Sequence, residues 1–218
     1  VVTFGLSKKS DVYPFKITKI NDRKKFKVKI FNQNYFVEVG NLNIYNVLAS
    51  LAILKLLNLD INQIIKYYKK YEATPGRGKI YKIFRYQKFF KLIDESYNAN
   101  PLSVKTAIQN FNAIKKQNFK KYLLLGDMLE LGKKSKALHK DLSKVINKTD
   151  IDKVFVKGSK SLITYKYISK NKRGNIFQQD EDIDFTLNDI ISNNDYLMIK
   201  GSNATGLNNL SKKLIKGY

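Results

Sequence analysis

The chain has 218 residues, 43% of them hydrophobic, with 41 Lys and Arg against 18 Asp and Glu and a formal net charge of +23. That length holds one or two domains with a real core, and the apolar content excludes wholesale disorder. Cysteine is absent, which excludes a disulfide framework or thiolate metal site, and no apolar run approaches the roughly 20 residues that span a bilayer.

The opening residues Val1 and Val2 lead into a polar, basic stretch with no secretory leader pattern. The first residue is not Met and the opening reads like mid-domain sequence, so a fragment is expected. Phe26, Val28 and Ile30 then alternate with Lys25, Lys27 and Lys29, the period of a strand with one wet face. Asn32-Gln33-Asn34 suits a hairpin turn, with 35–39 as the returning strand. Gly40 ends this region, and Asn41 or Asn43 can cap a helix that runs to about Leu57, with Val47, Leu48, Leu51 and Leu54 on its apolar side. A short helix from Ile61 to about Tyr71 follows Asp60. Thr74-Pro75-Gly76-Arg77-Gly78 is the clearest break, and the domain boundary is expected just beyond it, giving domains of 1–84 and 85–218.

Beyond the break, strands and helices alternate strictly. Strands are expected over 89–93, 122–125, 153–156, 175–178 and 196–199. Helices are expected over 101–115, about 136–147, after Ser159, about 183–192 and after Thr205. This alternation implies an α/β class, a Rossmann-like parallel sheet covered on both faces, with ligands beyond the carboxyl ends of the strands.

The chemistry-bearing stretches fall at those ends. In Ile93-Asp94-Glu95-Ser96-Tyr97-Asn98-Ala99-Asn100-Pro101, two adjacent carboxylates suit a ribose hydroxyl pair or a metal-bound water, and the two asparagines suit an adenine edge. The same stretch reads equally well as a strand-to-helix turn with Asn100 as N-cap before Pro101. In Gly126-Asp127-Met128-Leu129-Glu130-Leu131-Gly132, Asp127 and Glu130 could orient a cation or an amine, while the apolar residues suit packing. Lys157-Gly158-Ser159 and Lys200-Gly201-Ser202 each close a strand and open a helix, an arrangement that favours an anion or simply recurs as a turn. Neither is a Walker A loop. Arg77, between two glycines that allow close approach, suits a phosphate, a charge-assisted bond of about 1.5–3 kcal/mol. His139, the one histidine, reads as structural, and no metal-ligand set is visible. The net charge admits a polyanion partner. Lysine is spread along the whole chain and arginine is scarce, which favours compositional drift over nucleic-acid binding.

Together these residues resemble the Mur ligase family. Asn43 and Asn46 sit in a stretch similar to the family's histidine-asparagine-x-x-asparagine helix start, with Leu42 where histidine is usual. Arg77 in Pro75-Gly76-Arg77-Gly78 resembles the arginine ahead of the interdomain linker. Asp94-Glu95-Ser96-Tyr97-Asn98-Ala99-Asn100-Pro101, Gly126-Asp127-Met128-Leu129-Glu130-Leu131-Gly132 with His139 downstream, and Lys200-Gly201-Ser202 are similar to the D-alanyl-D-alanine-adding branch. Glu95 stands where many members have a second aspartate, which moves the carboxylate outward by roughly 1.5 Å.

The resemblance implies a cytoplasmic, monomeric, ATP- and Mg2+-dependent ligase with three domains. Residues 1–84 would be the back half of the central ATPase domain and 85–218 the Rossmann-like C-terminal domain. Its substrates would be UDP-N-acetylmuramoyl-tripeptide and D-alanyl-D-alanine, joined through an acyl phosphate. Asn43, Asn46 and Arg77 would line the nucleotide side, with Arg77 near the phosphates as the catalytic candidate. Asp94 or Glu95, with Asn98 and Asn100, would hold the ribose or adenine, and Asp127, Lys200 and Ser202 would face the amino substrate. Neither the Walker A loop nor the family's metal-binding glutamate and modified lysine is present, so the chain alone is expected to be inactive. The rival readings are a folylpolyglutamate synthetase-type ligase and a basic nucleic-acid-binding protein.

Overall fold

The computed structural model describes residues 1–20, 23–39, 42–71 and 73–216. It divides into two units, Val1–Ala73 and Thr74–Tyr218. The expected boundary at 84/85 differs from this division. The reason is an unforeseen strand, Lys79–Arg85, which pairs with the first strand of the α/β unit and so belongs to it.

In the first unit, β1 (Val12–Ile20), β2 (Arg23–Ile30) and β3 (Gln33–Val39) form an antiparallel sheet in that order. The two-residue period holds. Phe26, Val28 and Ile30 bury one face of β2 against Val47, Leu48 and Leu51 of α1 (Ile44–Leu56), with Ile61 of α2 (Ile61–Tyr68) in the same core. The hairpin turn lies at Phe31 and Asn32, one residue ahead of expectation. Asn43 caps α1, accepting a hydrogen bond from the Tyr45 N–H at 2.9 Å, and Asp60 caps α2 in the same way. α1 stops where Asn58 turns left-handed, at φ 53°. Leu42 packs against this core, which accounts for an apolar residue there. The other cap candidate, Asn41, and Gly40 lie outside the described residues.

The second unit is a six-stranded sheet in the order β4-β5-β9-β6-β7-β8, parallel apart from β4. Its strands are β4 (Lys79–Arg85), β5 (Lys88–Glu95), β6 (Lys121–Gly126), β7 (Lys153–Lys157), β8 (Arg173–Phe177) and β9 (Tyr196–Lys200). The helices are α3 (Pro101–Asn112), α4 (Ser135–Asn147), α5 (Ser161–Tyr167), α6 (Asp180–Ile190) and α7 (Leu207–Lys216). α3, α4 and α5 cover one face, where Leu123, Leu125, Val154, Val156 and Met198 meet Val104, Ile108 and Ile146. α6 and α7 cover the other, where Leu124, Phe155, Leu197 and Ile199 meet Ile183, Leu187, Leu207 and Leu210. Every residue of β6 and β9 is buried, as a parallel strand covered on both sides requires.

The chain leaves β6 toward α4 on one face and leaves the neighbouring β9 toward α7 on the other. This divergence opens a crevice at their carboxyl ends. Gly126 and Gly201 meet there so closely that a Cβ on Gly126 would lie 3.3 Å from the Gly201 Cα. The β4–β5 hairpin turns through Tyr86 and Gln87, at φ 57° and 55°, without the usual glycine or asparagine. The Tyr86 hydroxyl donates to Asp184 at 2.5 Å and its ring stacks on Phe90, which holds the turn.

At the amino end of the sheet, Lys121 is 0% exposed. Its ammonium donates to the carbonyls of Asn112 and Ile114 at 3.2 and 2.5 Å and to Asp150 at 2.8 Å, tying the end of α3 to the approach to β7. Lys121→Met removes the donor from the half-buried Ile114 carbonyl and from Asn112 and Asp150, which are exposed enough to turn to water. The expected cost is about 2–4 kcal/mol of unfolding free energy, read from urea denaturation midpoints.

Candidate functional site

The turn Pro75-Gly76-Arg77-Gly78 folds onto the carboxyl end of β5. The Gly78 N–H donates to the Asp94 carbonyl at 2.8 Å and the Tyr97 N–H to the Gly76 carbonyl at 3.1 Å. A side chain at Gly76 would put its Cβ 2.6 Å from the Tyr97 Cβ, and one at Gly78 would sit 3.0 Å from Glu95 Oε1. Both glycines have positive φ, 76° and 91°, so shape and conformation both call for glycine.

Asp94 and Glu95 are adjacent in a strand and point to opposite sides. Asp94 is 2% exposed. Its carboxylate accepts from the Gly76 N–H at 2.8 Å and from the Ser96 hydroxyl at 2.6 Å, so it fastens the arginine turn instead of facing a ligand. Glu95 retains an accessible carboxylate beside Gly78, 3.5 Å from the Lys200 ammonium. Burial pushes its carboxyl above the ordinary glutamate range, Lys200 pulls it down, Asp94 pushes it up and Arg77 pulls it down. Arg77 is exposed and lies 4.8 Å from the centre of the Tyr97 ring, itself 47% exposed. Tyr97 was not anticipated as a site residue. A ring two residues past the strand, flanked by polar residues, was the available signal.

Asn98 is exposed at the head of the same turn. Asn100 is occupied as the N-cap of α3. Its side chain accepts from the Ser103 N–H at 2.8 Å while Ser103 Oγ accepts from the Asn100 N–H at 3.1 Å. Lys200 is 1% exposed, and its ammonium donates to the carbonyls of Glu95 and Asn98. Burial lowers its pKa and Glu95 raises it. The Ser202 hydroxyl accepts from the Leu129 N–H at 3.0 Å and faces the Ala99 carbonyl, so it links the loops that follow β5 and β6.

Asp127 is likewise turned inward. Its Oδ1 accepts from the N–H groups of Lys160 and Ser161, at 3.0 and 2.7 Å. The start of α5, which the Lys157-Gly158-Ser159 pattern offered to an anion, therefore receives the chain's own carboxylate. His139 holds the same loop from below. Its Nε2 accepts from the Met128 N–H at 3.1 Å and its Nδ1 pairs with the Ser135 carbonyl at 2.8 Å, the pattern of a neutral structural histidine. Glu130, at φ 61°, is exposed on the rim.

The structure thus brings Arg77, Asp94, Glu95, Asn98, Lys200 and Ser202 to one end of the sheet, with Asp127 next to them. Asn43 and Asn46 are exposed at the start of α1 in the other unit. Among the described residues no group of three or more His, Asp or Glu side chains is placed to hold a metal ion.

A family model described as Mur ligase, glutamate ligase domain matches residues 82–203, more than half of the chain. In sequence the chain is similar to the UDP-N-acetylmuramoyl-tripeptide–D-alanyl-D-alanine ligase of Buchnera aphidicola subsp. Baizongia pistaciae, with 30% identity over 100% of this chain and 46% of the relative. It is 26% identical to the enzyme of the same name from Bacillus subtilis, over 98% of this chain and 47% of that one. In three dimensions it is similar to the MurF ligase of Thermotoga maritima in complex with ADP, with a TM-score of 0.78, 23% identity and coverage of 99% of this chain and 48% of the other. The chain spans about half the length of the curated relatives it matches.

Two outcomes follow from this geometry. Gly158 has φ 127° and a Cβ there would lie 2.3 Å from Asp127 Oδ1. Gly158→Ala should cost at least about 2 kcal/mol and Asp127→Ala about 1–2 kcal/mol. The double variant should cost less than their sum, because the clash partner is gone. Denaturant midpoints check all three. Second, the raised Glu95 carboxyl means that the folded chain holds a proton which the unfolded chain releases near pH 4.3. Its contribution to stability is full below that pH and is lost as pH rises through the raised folded value. Glu95→Gln should flatten the fall in melting temperature over that window, measured by calorimetry at stepped pH.

Proposed function

Because this chain belongs to the Mur ligase family, we propose that it forms the C-terminal half of an ATP-dependent ligase joining D-alanyl-D-alanine to UDP-N-acetylmuramoyl-tripeptide in peptidoglycan synthesis. The observation that carries this reading is the cluster at the end of β5. There Glu95 keeps an accessible carboxylate and Arg77 lies over Tyr97, on a turn whose glycines let it pack directly against Tyr97 and Glu95. The names of the Buchnera and Bacillus relatives, which match the chain over its whole length or nearly so, support the substrates. The ADP named with the Thermotoga structure supports the nucleotide.

In the proposed reaction the terminal carboxylate of the tripeptide takes the γ-phosphoryl group of ATP, leaving ADP. The amine of D-alanyl-D-alanine attacks the acyl phosphate, loses a proton and expels phosphate. Such chemistry depends on positioning and charge neutralisation. We assign Arg77 to the phosphates, as the one group here that both neutralises charge and donates in a fixed fork. Glu95 is assigned to the ribose hydroxyls, which donate to an ionised carboxylate. Asn98 is assigned to a further nucleotide edge; in the first unit Asn43 caps α1 and Asn46 is exposed one turn on. Asp94 and Asn100 support this surface through the turn and the α3 cap, and Asp127 and Ser202 shape the loop after β6. Glu130, exposed and without an ion pair among the described residues, is the carboxylate that can meet the ammonium of the incoming dipeptide. The first unit, Val1–Ala73, is assigned to the back half of the central ATP-binding domain. Mg2+ belongs to the same proposal, with its ligands expected mainly upstream of these residues. So do a cytoplasmic setting and a monomeric state; no helix among the described residues is long and apolar enough to cross a membrane.

The test is a chimera in which these residues replace the C-terminal half of the Bacillus subtilis relative. It should form the pentapeptide product and release one phosphate per product, with D-alanyl-D-alanine required. Turnover with γ-glutamate acceptors in place of the dipeptide would overturn the assignment. In the same chimera Arg77→Ala should lower kcat/KM for ATP by about 10–100-fold, as the loss of one charge-assisted hydrogen bond implies. The 218 residues by themselves should release no phosphate from ATP with both substrates present, since they hold no Walker A loop.

A further inference from the structure

A lysine at the end of a strand ordinarily carries its ammonium out to water along a flexible stem. Lys200 does the reverse and is 1% exposed. An ammonium has three N–H donors and no acceptor. Here one faces the Glu95 carbonyl at 3.2 Å, one the Asn98 carbonyl, and one the Glu95 carboxylate at 3.5 Å. All three acceptors belong to the last residue of β5 and the turn that follows it. No donor is left for a molecule arriving on the other side of β9, where the loop after β6 lies. We propose that Lys200 is a positioning residue for the nucleotide side of the site, setting the 95–98 turn and the Glu95 carboxylate, and that it makes no contact with the incoming amine. The word nucleotide rests on the ligase reading above, whereas the link from Lys200 to Glu95 stands without it.

The charges around Glu95 make the link measurable. Asp94 precedes it on β5 with its carboxylate on the opposite side, Arg77 lies on the glycine-flanked turn and Lys200 reaches it from β9. Lys200 is the strongest of the influences that keep Glu95 ionised against its burial. Without that ammonium, burial and Asp94 act against Arg77 alone. A ribose held by an ionised carboxylate would then be held only at higher pH.

The direct experiment is carbon-detected NMR titration of the Glu95 carboxyl in the 218-residue chain, with amide exchange of 96–98 followed in parallel. In Lys200→Met the Glu95 midpoint should rise by about one unit or more, as expected on removing an opposite charge at this range. Exchange at 96–98 should quicken at least about tenfold, while that of β6 and β7 stays unchanged. An unmoved midpoint with unmoved exchange overturns the proposal. Should the methionine variant unfold, Lys200→Arg carries the same test. A planar guanidinium cannot reproduce three convergent bonds, so exchange at 96–98 still rises if the proposal holds, and unchanged exchange overturns it.

In the chimera, Lys200→Met or Lys200→Arg should raise KM for ATP about tenfold or more and leave KM for D-alanyl-D-alanine unchanged. The ATP defect of Lys200→Met should deepen as pH falls. A rise in KM for D-alanyl-D-alanine with that for ATP unmoved would return Lys200 to the amine side. An inactive parent chimera would count against the ligase reading alone, because the Glu95 titration does not depend on turnover.

Discussion

A parallel strand covered on both faces has no room for a polar side chain along its length. In β6 and β9 every residue is buried, so the chemistry of this unit is confined to the strand ends. The two ends have become different. At the amino end Lys121 closes the sheet by taking two carbonyls and Asp150. At the carboxyl end the chain parts between β6 and β9, and glycines let the two backbones approach where side chains would collide. One end is a lock and the other a crevice, and both follow from strands that are almost wholly apolar between their ends.

Within the crevice most polar side chains hold other parts of the protein. Asp94 grips the arginine turn, Asn100 caps α3, Asp127 caps α5, and Ser202 bridges two loops. This leaves Arg77, Glu95, Tyr97 and Asn98 presented outward on a surface whose backbone is already fixed. A ligand meeting such a surface orders few additional groups, and less of its binding free energy is lost to that ordering. The net charge of +23 is spread along the whole chain and does not single out this surface. What matters locally is one buried ammonium, one accessible carboxylate and one guanidinium.

Much of the α/β unit was legible because its apolar runs are short, bounded and separated by amphipathic stretches. β4 was missed because it is an edge strand with one half-wet face, so Lys79, Lys82 and Arg85 masked its alternation next to a glycine-rich break. The domain boundary moved for the same reason. Of the site, the motifs and their place at strand ends were legible; the direction of each side chain was not. Asp94 and Glu95 are neighbours of like chemistry, and only the register of β5 against β4 and β9 decides which turns inward. Asp127 depended on a partner 34 residues away at Ser161, a contact that no local pattern announces.

The tripeptide Lys-Gly-Ser occurs twice, at the ends of β7 and β9, and shows how little three letters specify. At β7 the lysine reaches Asp180 at 2.5 Å and the glycine makes room for Asp127. At β9 the lysine is enclosed by the 95–98 turn, the glycine meets Gly126 and the serine joins two loops. The difference lies in what stands beside each strand end. The same letters therefore carry different meanings at the two places, because the informative unit is a strand end together with its neighbours, which a one-dimensional motif cannot record.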